Sequence, residues 1–272
     1  MSIKTLGRKT ALLFTKLHDR DQLIFDLPTA AELMGVDRPH AVDILHLAAK
    51  RGLITPVQRG VYNLVPFELG STDFHLENRY AIVAASMFGK PYYLSHSSAL
   101  DLHGLVTQPS FEVYVSTLNR LATRNQGGAI VHFITMREPQ FFGYALHDLG
   151  NNQKVFASDL ERALIDGFTR SKYCGGMVEV AKAVFMGKSR INFEKLVAYA
   201  RRMNTDATIR RLGFVLETLG LGDKTPLADL QTGLPAGAVK LDQELPLDGA
   251  HNSKWGLRLN VSAEEIIKSV SN

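Results

Sequence analysis

The sequence predicts an α+β protein, and three observations carry that expectation. A helix-turn-helix pattern followed by a hairpin fills the first 66 residues, short β-branched and aromatic runs occupy 92–156, and four helical segments follow between 159 and 219. Strands and helices gathered in consecutive blocks favour α+β over a doubly wound parallel sheet, in which the two would alternate.

Taken in order, Thr10 to Leu17 has helical periodicity and Leu23 to Leu27 is a short apolar run. Thr29 is the expected cap of the next helix, with Glu32 completing a capping box and Gly35 supplying the left-handed residue that ends it. Asp37 caps a second helix whose first turn holds Arg38-Pro39, where proline loses no needed hydrogen bond. Ala41, Val42, Ile44, Leu45, Ala48 and Ala49 give that helix an apolar face, and Arg38, His40, Asp43, His46 and Lys50 lie on the other. After Arg51-Gly52, residues 53–57 and 61–65 read as a hairpin with Arg59 at its tip.

That order is the winged helix-turn-helix, expected over residues 1–68. In this geometry the second helix enters the major groove of duplex DNA and the wing lies along the backbone. Arg38 is then the candidate for a guanine contact, His40, Asp43 and His46 for base or water-mediated contacts, and Lys50, Arg51 and Arg59 for phosphates. Nine basic and seven acidic residues give this unit a net charge of only +2, so its non-specific affinity should be weak and salt-sensitive.

Pro66 to Ser71 reads as the connection to a second domain over 72–272, which opens on a helix from Thr72 to Gly89. Its expected strands are 92–94, 111–115, 130–135, 143–146 and 154–156, divided by a turn over Thr123 to Gly128. Its helices are 159–170, 177–187, 193–203 and 207–219. Five glycines and three prolines loosen residues 220–249, with a short strand at 240–241. A strand over 255–261 and a helix capped by Ser262 and Glu265 finish the chain.

Composition excludes several classes. The 272 residues hold 31 Lys+Arg, 27 Asp+Glu and one Cys, with 45% hydrophobic residues, too apolar for a disordered chain. The longest nearly uncharged apolar run, Tyr80 to Gly89, is far short of the roughly 20 residues that span a bilayer, so no membrane partner is expected. A single cysteine allows no internal disulfide and, with no secretory signal, favours the cytoplasm. The net charge of +4 matters less than its placement. Lys188, Arg190, Lys195, Arg201, Arg202, Arg210 and Arg211 crowd into 188–211 against only Glu194 and Asp206, an excess of +5 on two predicted helices. This candidate basic patch would suit DNA, RNA or an acidic protein surface.

The winged unit ending in Arg59 to Tyr62, the strand-helix segment Tyr92 to Leu105, the strand Phe111 to Val115 and the helix opening at Ser158 to Asp166 together resemble the AbiEi antitoxins of bacterial abortive-infection systems. The resemblance covers nearly the whole chain and is loosest after residue 220. It implies a type IV antitoxin that represses its own operon at inverted repeats and counters a nucleotidyltransferase-like toxin, with no stable complex required. A ligand-sensing winged-helix regulator without a toxin is the alternative expectation.

Enzymatic readings rank lower. Ser95 to Ser98 lacks the Gly-x-Ser-x-Gly elbow of a hydrolase and suits helix capping. His103 fits a helix end before Gly104, and Cys174 a tight turn before Gly175-Gly176. The scattered histidines and lone cysteine argue against a metal site, and no cofactor is expected. In Gly220 to Thr225, Asp223 interrupts the spacing of a phosphate loop. Asp159 and Glu161 have the spacing of paired metal-binding carboxylates, but Asp159 as a helix cap, Glu161 and Arg162 facing solvent and Asp166 as a candidate for a buried ion pair is the simpler assignment.

Overall fold

The first helix, α1 (Arg8–Asp19), buries Leu13, Phe14 and Leu17 and leads into β1 (Ile24–Asp26) and α2 (Leu27–Met34). The structure, a computed structural model, describes residues 6–20, 22–65, 79–108, 110–126, 129–150, 153–221 and 227–271. Two compact units divide the chain: Met1–Pro91 with Asn125–Ala129 and Leu146–Val155, and Tyr92–Arg124 with Ile130–Ala145 and Phe156–Asn272.

In the first unit α2 begins two residues before the expected cap. Asp26 rather than Thr29 closes its start, the carboxylate accepting the Thr29 amide at 2.9 Å. The reason is local: Pro28 has no N–H to satisfy and suits the first turn, so the acidic residue just before Leu27-Pro28 takes the cap position. Gly35 ends α2 at φ 61, a backbone state that costs a side chain and that glycine adopts freely. Two lysines of α1 reach the carbonyls this end leaves open, Lys9 Nζ to Met34 O at 2.8 Å and Lys16 Nζ to Leu33 O at 2.9 Å. Cations at a helix C-terminus are also favoured by its dipole.

The next helix, α3 (Arg38–Lys50), is capped by Asp37 and buries Ala41, Leu45 and Ala48. It is followed by β2 (Ile54–Gln58) and β3 (Val61–Leu64), which pair antiparallel and join β1 in a sheet of order β1-β3-β2. The core formed by α1, α2, α3 and this sheet includes Phe25, Leu33, Met34 and Ile54. α4 (Arg79–Ser86) packs on β2 and β3. The connection expected over Pro66 to Ser71 and the helix start at Thr72 lie outside the described residues.

The second unit contains most of a mixed sheet. β4 (Tyr92–Leu94) feeds α5 (His96–Leu102), and β5 (Glu112–Thr117), β6 (Arg124–Gln126), β7 (Ala129–Thr135), β8 (Tyr144–Asp148) and β9 (Lys154–Ser158) follow. Their order is β6-β7-β5-β4-β9-β8, with β4 antiparallel to β5 and parallel to β9, and β5 parallel to β7. Arg124 to Gln126 is a strand where a turn was expected; Gly127 and Gly128 lie outside the described residues.

The helical block comprises α6 (Leu160–Thr169), α7 (Met177–Gly187), α8 (Phe193–Met203) and α9 (Asp206–Thr218). Then come α10 (Leu227–Gln231), β10 (Val239–Lys240), β11 (Ala250–Asn252), β12 (Leu257–Leu259) and α11 (Ala263–Val270). The last three strands form a small sheet, β10 parallel and β11 antiparallel to β12. Ser262 and Glu265 make the expected capping box.

Trp255 is the largest side chain wholly buried in this block. Its ring lies directly on the backbone of α9 at Gly213, where any Cβ would overlap the indole, and Trp255 Nε1 donates to Glu217 Oε2 at 2.6 Å.

Arg162 is fully buried, contrary to the expectation that it faces solvent, and so is Glu161. The reason is partnership. Arg162 Nε donates to Asp166 Oδ1 and Nη2 to the Tyr93 hydroxyl, both at 2.9 Å, while the guanidinium lies over the Phe142 ring at 4.4 Å. Glu161 accepts the Asn192 amide and pairs with Lys195 Nζ, both at 2.9 Å. Burial alone would raise its pKa, but these two partners hold it below the usual carboxylate range.

Two outcomes follow from this packing. Gly213→Ala should lose about 1–3 kcal/mol in chemical denaturation, overpacking against Trp255 outweighing the gain in helix propensity; an equally stable variant would show that the indole shifts freely. Arg162→Ala strands Asp166 and should cost about 3–5 kcal/mol, whereas Arg162→Met with Asp166→Leu should recover most of that loss. A single variant within about 1 kcal/mol of the parent would remove the ion pair from the core's support.

Candidate nucleic-acid interface

The exposed arc of α3 is fixed by its buried side. With Ala41, Leu45 and Ala48 inside, the 3.6-residue period turns Arg38, His40, Asp43, His46 and Lys50 outward, and all five are exposed. Val42 and Leu47, 42% and 51% exposed, share that surface, so the arc offers apolar contacts as well as hydrogen bonds. Val42 was expected on the buried face; Ala41 and Ala48 fill that position instead, and their small side chains let the backbone approach α2 closely.

His40 is held at the start of the helix. Asp37 accepts both its backbone amide and its Nδ1, and these hydrogen bonds keep the Asp37 carboxyl below the usual range. Asp43 supplies an acceptor suited to the cytosine amino group, and Arg38 a fork suited to guanine.

Arg59 lies in the turn between β2 and β3, exposed, next to Gly60 at φ 77. The Leu27 amide donates to the Gly60 carbonyl at 2.9 Å, which ties the hairpin turn to the first residue of α2. Lys50 and Arg51, at the far end of α3, are exposed as well. The first unit therefore carries all seven sequence-predicted residues outside its core, five along one helix face and the others at the helix end and the hairpin turn.

The basic cluster at 188–211 does not form one surface. Arg210 and Arg211 are each only 4% exposed, because they meet backbone carbonyls of the C-terminal segment and, for Arg211, also of α6. Arg210 Nη1 donates to Trp255 O at 3.0 Å and Gly237 O at 3.1 Å, and Nη2 donates to Pro235 O. Arg211 bonds the carbonyls of Phe168 and Lys240, both at 3.1 Å, and burial pulls its pKa down to about 10, so it remains charged at neutral pH. Lys195 bridges Asp159 at 3.2 Å and Glu161 at 2.9 Å. Arg190 donates to His103 O at 2.9 Å but stays exposed, as do Lys188, Arg201 and Arg202. The surface charge of the segment thus reduces to the α7–α8 connection and the last turn of α8.

The Lys195 bridge also accounts for the carboxylate pair. Asp159 caps α6 through the Arg162 amide at 2.9 Å and accepts the Tyr199 hydroxyl at 3.0 Å, and Glu161 is buried. Among the described residues no group of three His, Cys, Asp or Glu side chains is placed to hold a metal ion. Ser95 is wholly buried and its hydroxyl does not cap α5; it contacts His96 Nδ1 at 2.9 Å. Ser98 instead accepts the Tyr114 amide, and His103 ends α5 with its ring on Ser158 O. Cys174 sits in the turn before Gly175, and burial pushes its thiol pKa up rather than down. α9 ends at Thr218, and residues 222–226 of the loop that resembled a phosphate site lie outside the described residues.

Among the described residues no helix is long and apolar enough to cross a membrane.

No family model matches the sequence, and no curated protein matches it. Among solved structures, the crystal structure of RV2827C protein from Mycobacterium tuberculosis is similar, with a TM-score of 0.66 and 11% sequence identity, covering 98% of this chain and 96% of that one. At that identity the likeness is one of fold: a mixed α/β architecture shared along nearly the entire chain.

Proposed function

We propose that the first unit is a winged helix-turn-helix that binds duplex operator DNA, and that the chain is an autorepressing antitoxin of the AbiEi kind. The observation that carries the DNA reading is the exposed polar arc of α3 together with an arginine-bearing hairpin turn hydrogen-bonded to the start of α2. The order helix, strand, helix, helix, hairpin supports it, with β1 completing the sheet as in winged helices.

In this reading Arg38 contacts a base edge, His40, Asp43 and His46 read neighbouring pairs directly or through water, and Lys50, Arg51 and Arg59 meet phosphates. Lys9 and Lys16 are engaged with α2 carbonyls, so the unit's positive charge reaches DNA through few side chains. Affinity then depends on base contacts more than on bulk field. Operator sites as inverted repeats, and neutralisation of a nucleotidyltransferase-like toxin through the second unit, rest on the family resemblance.

In gel-shift titrations with the chain's own upstream DNA, Arg38→Ala should weaken binding by about 1–3 kcal/mol and relax preference at one position. Arg59→Ala should weaken all sequences alike and lower the salt slope by about 1. Unchanged sequence-specific shifts in both variants would remove α3 and the turn from the interface. Co-expression with a neighbouring nucleotidyltransferase-like gene should restore growth only when the second unit is intact; rescue by residues 1–68 alone would contradict that assignment.

A further inference from the structure

The second unit holds a cleft of about 330 Å³ lined by His96, Arg137, Gln140, Asp166, Arg170 and Thr205, among others. That size suits a small metabolite. Two of its polar groups are the ends of one buried chain. Arg162 bonds Asp166 Oδ1 and the Tyr93 hydroxyl; Tyr93 is hydrogen-bonded to Ser116; Ser116 Oγ donates to Ser95 Oγ; and Ser95 meets His96 Nδ1.

Arginine only donates, so the Tyr93 oxygen accepts from Arg162, and further along Ser116 Oγ donates to Ser95 Oγ, which lies against His96 Nδ1. Burial pushes the His96 pKa down to about 3, which keeps the ring neutral. Its backbone is held at φ 50, an unfavourable state for a residue with a side chain, of the kind that recurs at ligand sites.

At the other end, Asp166 is 1% exposed, and its Oδ2 has no hydrogen-bond partner among the described residues. Burial pushes the Asp166 pKa up against the opposing pull of Arg162, and an N–H donor at Oδ2 would both satisfy the unmet oxygen and favour the carboxylate. Arg137 and Arg170 are exposed on the same cleft, and Arg170 lies near enough to act electrostatically on both His96 and Asp166. With the Asp166 charge already balanced by Arg162, the cleft has two cations to spare.

We propose that this cleft binds a small anion that also carries an N–H donor, its anionic group seated on Arg137 and Arg170 and its N–H group on Asp166 Oδ2. A nucleotide and an amino acid share that chemistry, and the inference is independent of the DNA-binding reading.

Isothermal titration of the full chain with GMP, with glutamate and with inorganic phosphate tests it. Saturable binding of GMP or of glutamate is expected, whichever binds identifying the source, and phosphate should bind more weakly. Arg137→Ala and Arg170→Ala, both surface changes, should each weaken binding roughly tenfold with an unchanged circular dichroism spectrum. The proposal fails if none of the three binds at millimolar concentration, if both variants bind like the parent, or if phosphate alone binds as tightly as the larger ligands.

Discussion

The second unit is organised around a charge that water cannot reach. The Arg162 guanidinium, sandwiched near the rings of Phe142 and Tyr93, has its neutralising partner on its own helix and its other strong hydrogen bond on β4. A desolvated cation tolerates little displacement, because each lost partner leaves an uncompensated charge in a low-dielectric interior. α6 is therefore fixed in rotation and height against the sheet more tightly than apolar packing alone requires. From that fixed helix the Lys195 bridge sets α8, and the Arg211 bond to Phe168 O sets α9.

The same economy runs through the molecule. Many of its cations are committed to acceptors within the chain: Lys9 and Lys16 close the end of α2, Arg162 and Lys195 organise α6, and Arg210 and Arg211 hold the C-terminal segment. A sequence tally counts all of these as free surface charge, yet Arg162, Arg210 and Arg211 are buried and the three lysines are tied to carbonyls or carboxylates. The residual field is weaker and more local than the density of basic residues suggests, and in the first unit α3, its end and the hairpin turn contribute Arg38, Lys50, Arg51 and Arg59 to it.

What was legible in the sequence is what depends on near neighbours. Asp37 capping α3, Gly35 ending α2 and the Ser262–Glu265 box involve partners within a few residues, and their geometry follows from residue type and spacing. The buried helices of the second unit announced themselves by period and came within a residue or so of their expected ends. The cap of α2 was misplaced because two good capping residues, Asp26 and Thr29, stand three apart and only Pro28 arbitrates between them. Arg210 and Arg211 were misread for a different reason: their acceptors lie 25 to 46 residues away, downstream for Arg210 and on both sides of Arg211, and are backbone carbonyls, which no side-chain pattern marks. The cleft had no signal for the same reason, since His96, Arg137, Asp166 and Arg170 are assembled from separate elements by the fold.

The Arg210 clamp has a consequence for the order in which the chain acquires its structure. α9 emerges from the ribosome well before the carbonyls of Pro235, Gly237 and Trp255 and before the indole that covers Gly213. Until those residues arrive, the Arg210 guanidinium and the Gly213 notch face water, and that side of α9 is uncovered. The loops around the C-terminal strands thus act as a late-made latch, and this face of α9 is covered only once Pro235, Gly237 and Trp255 are in place.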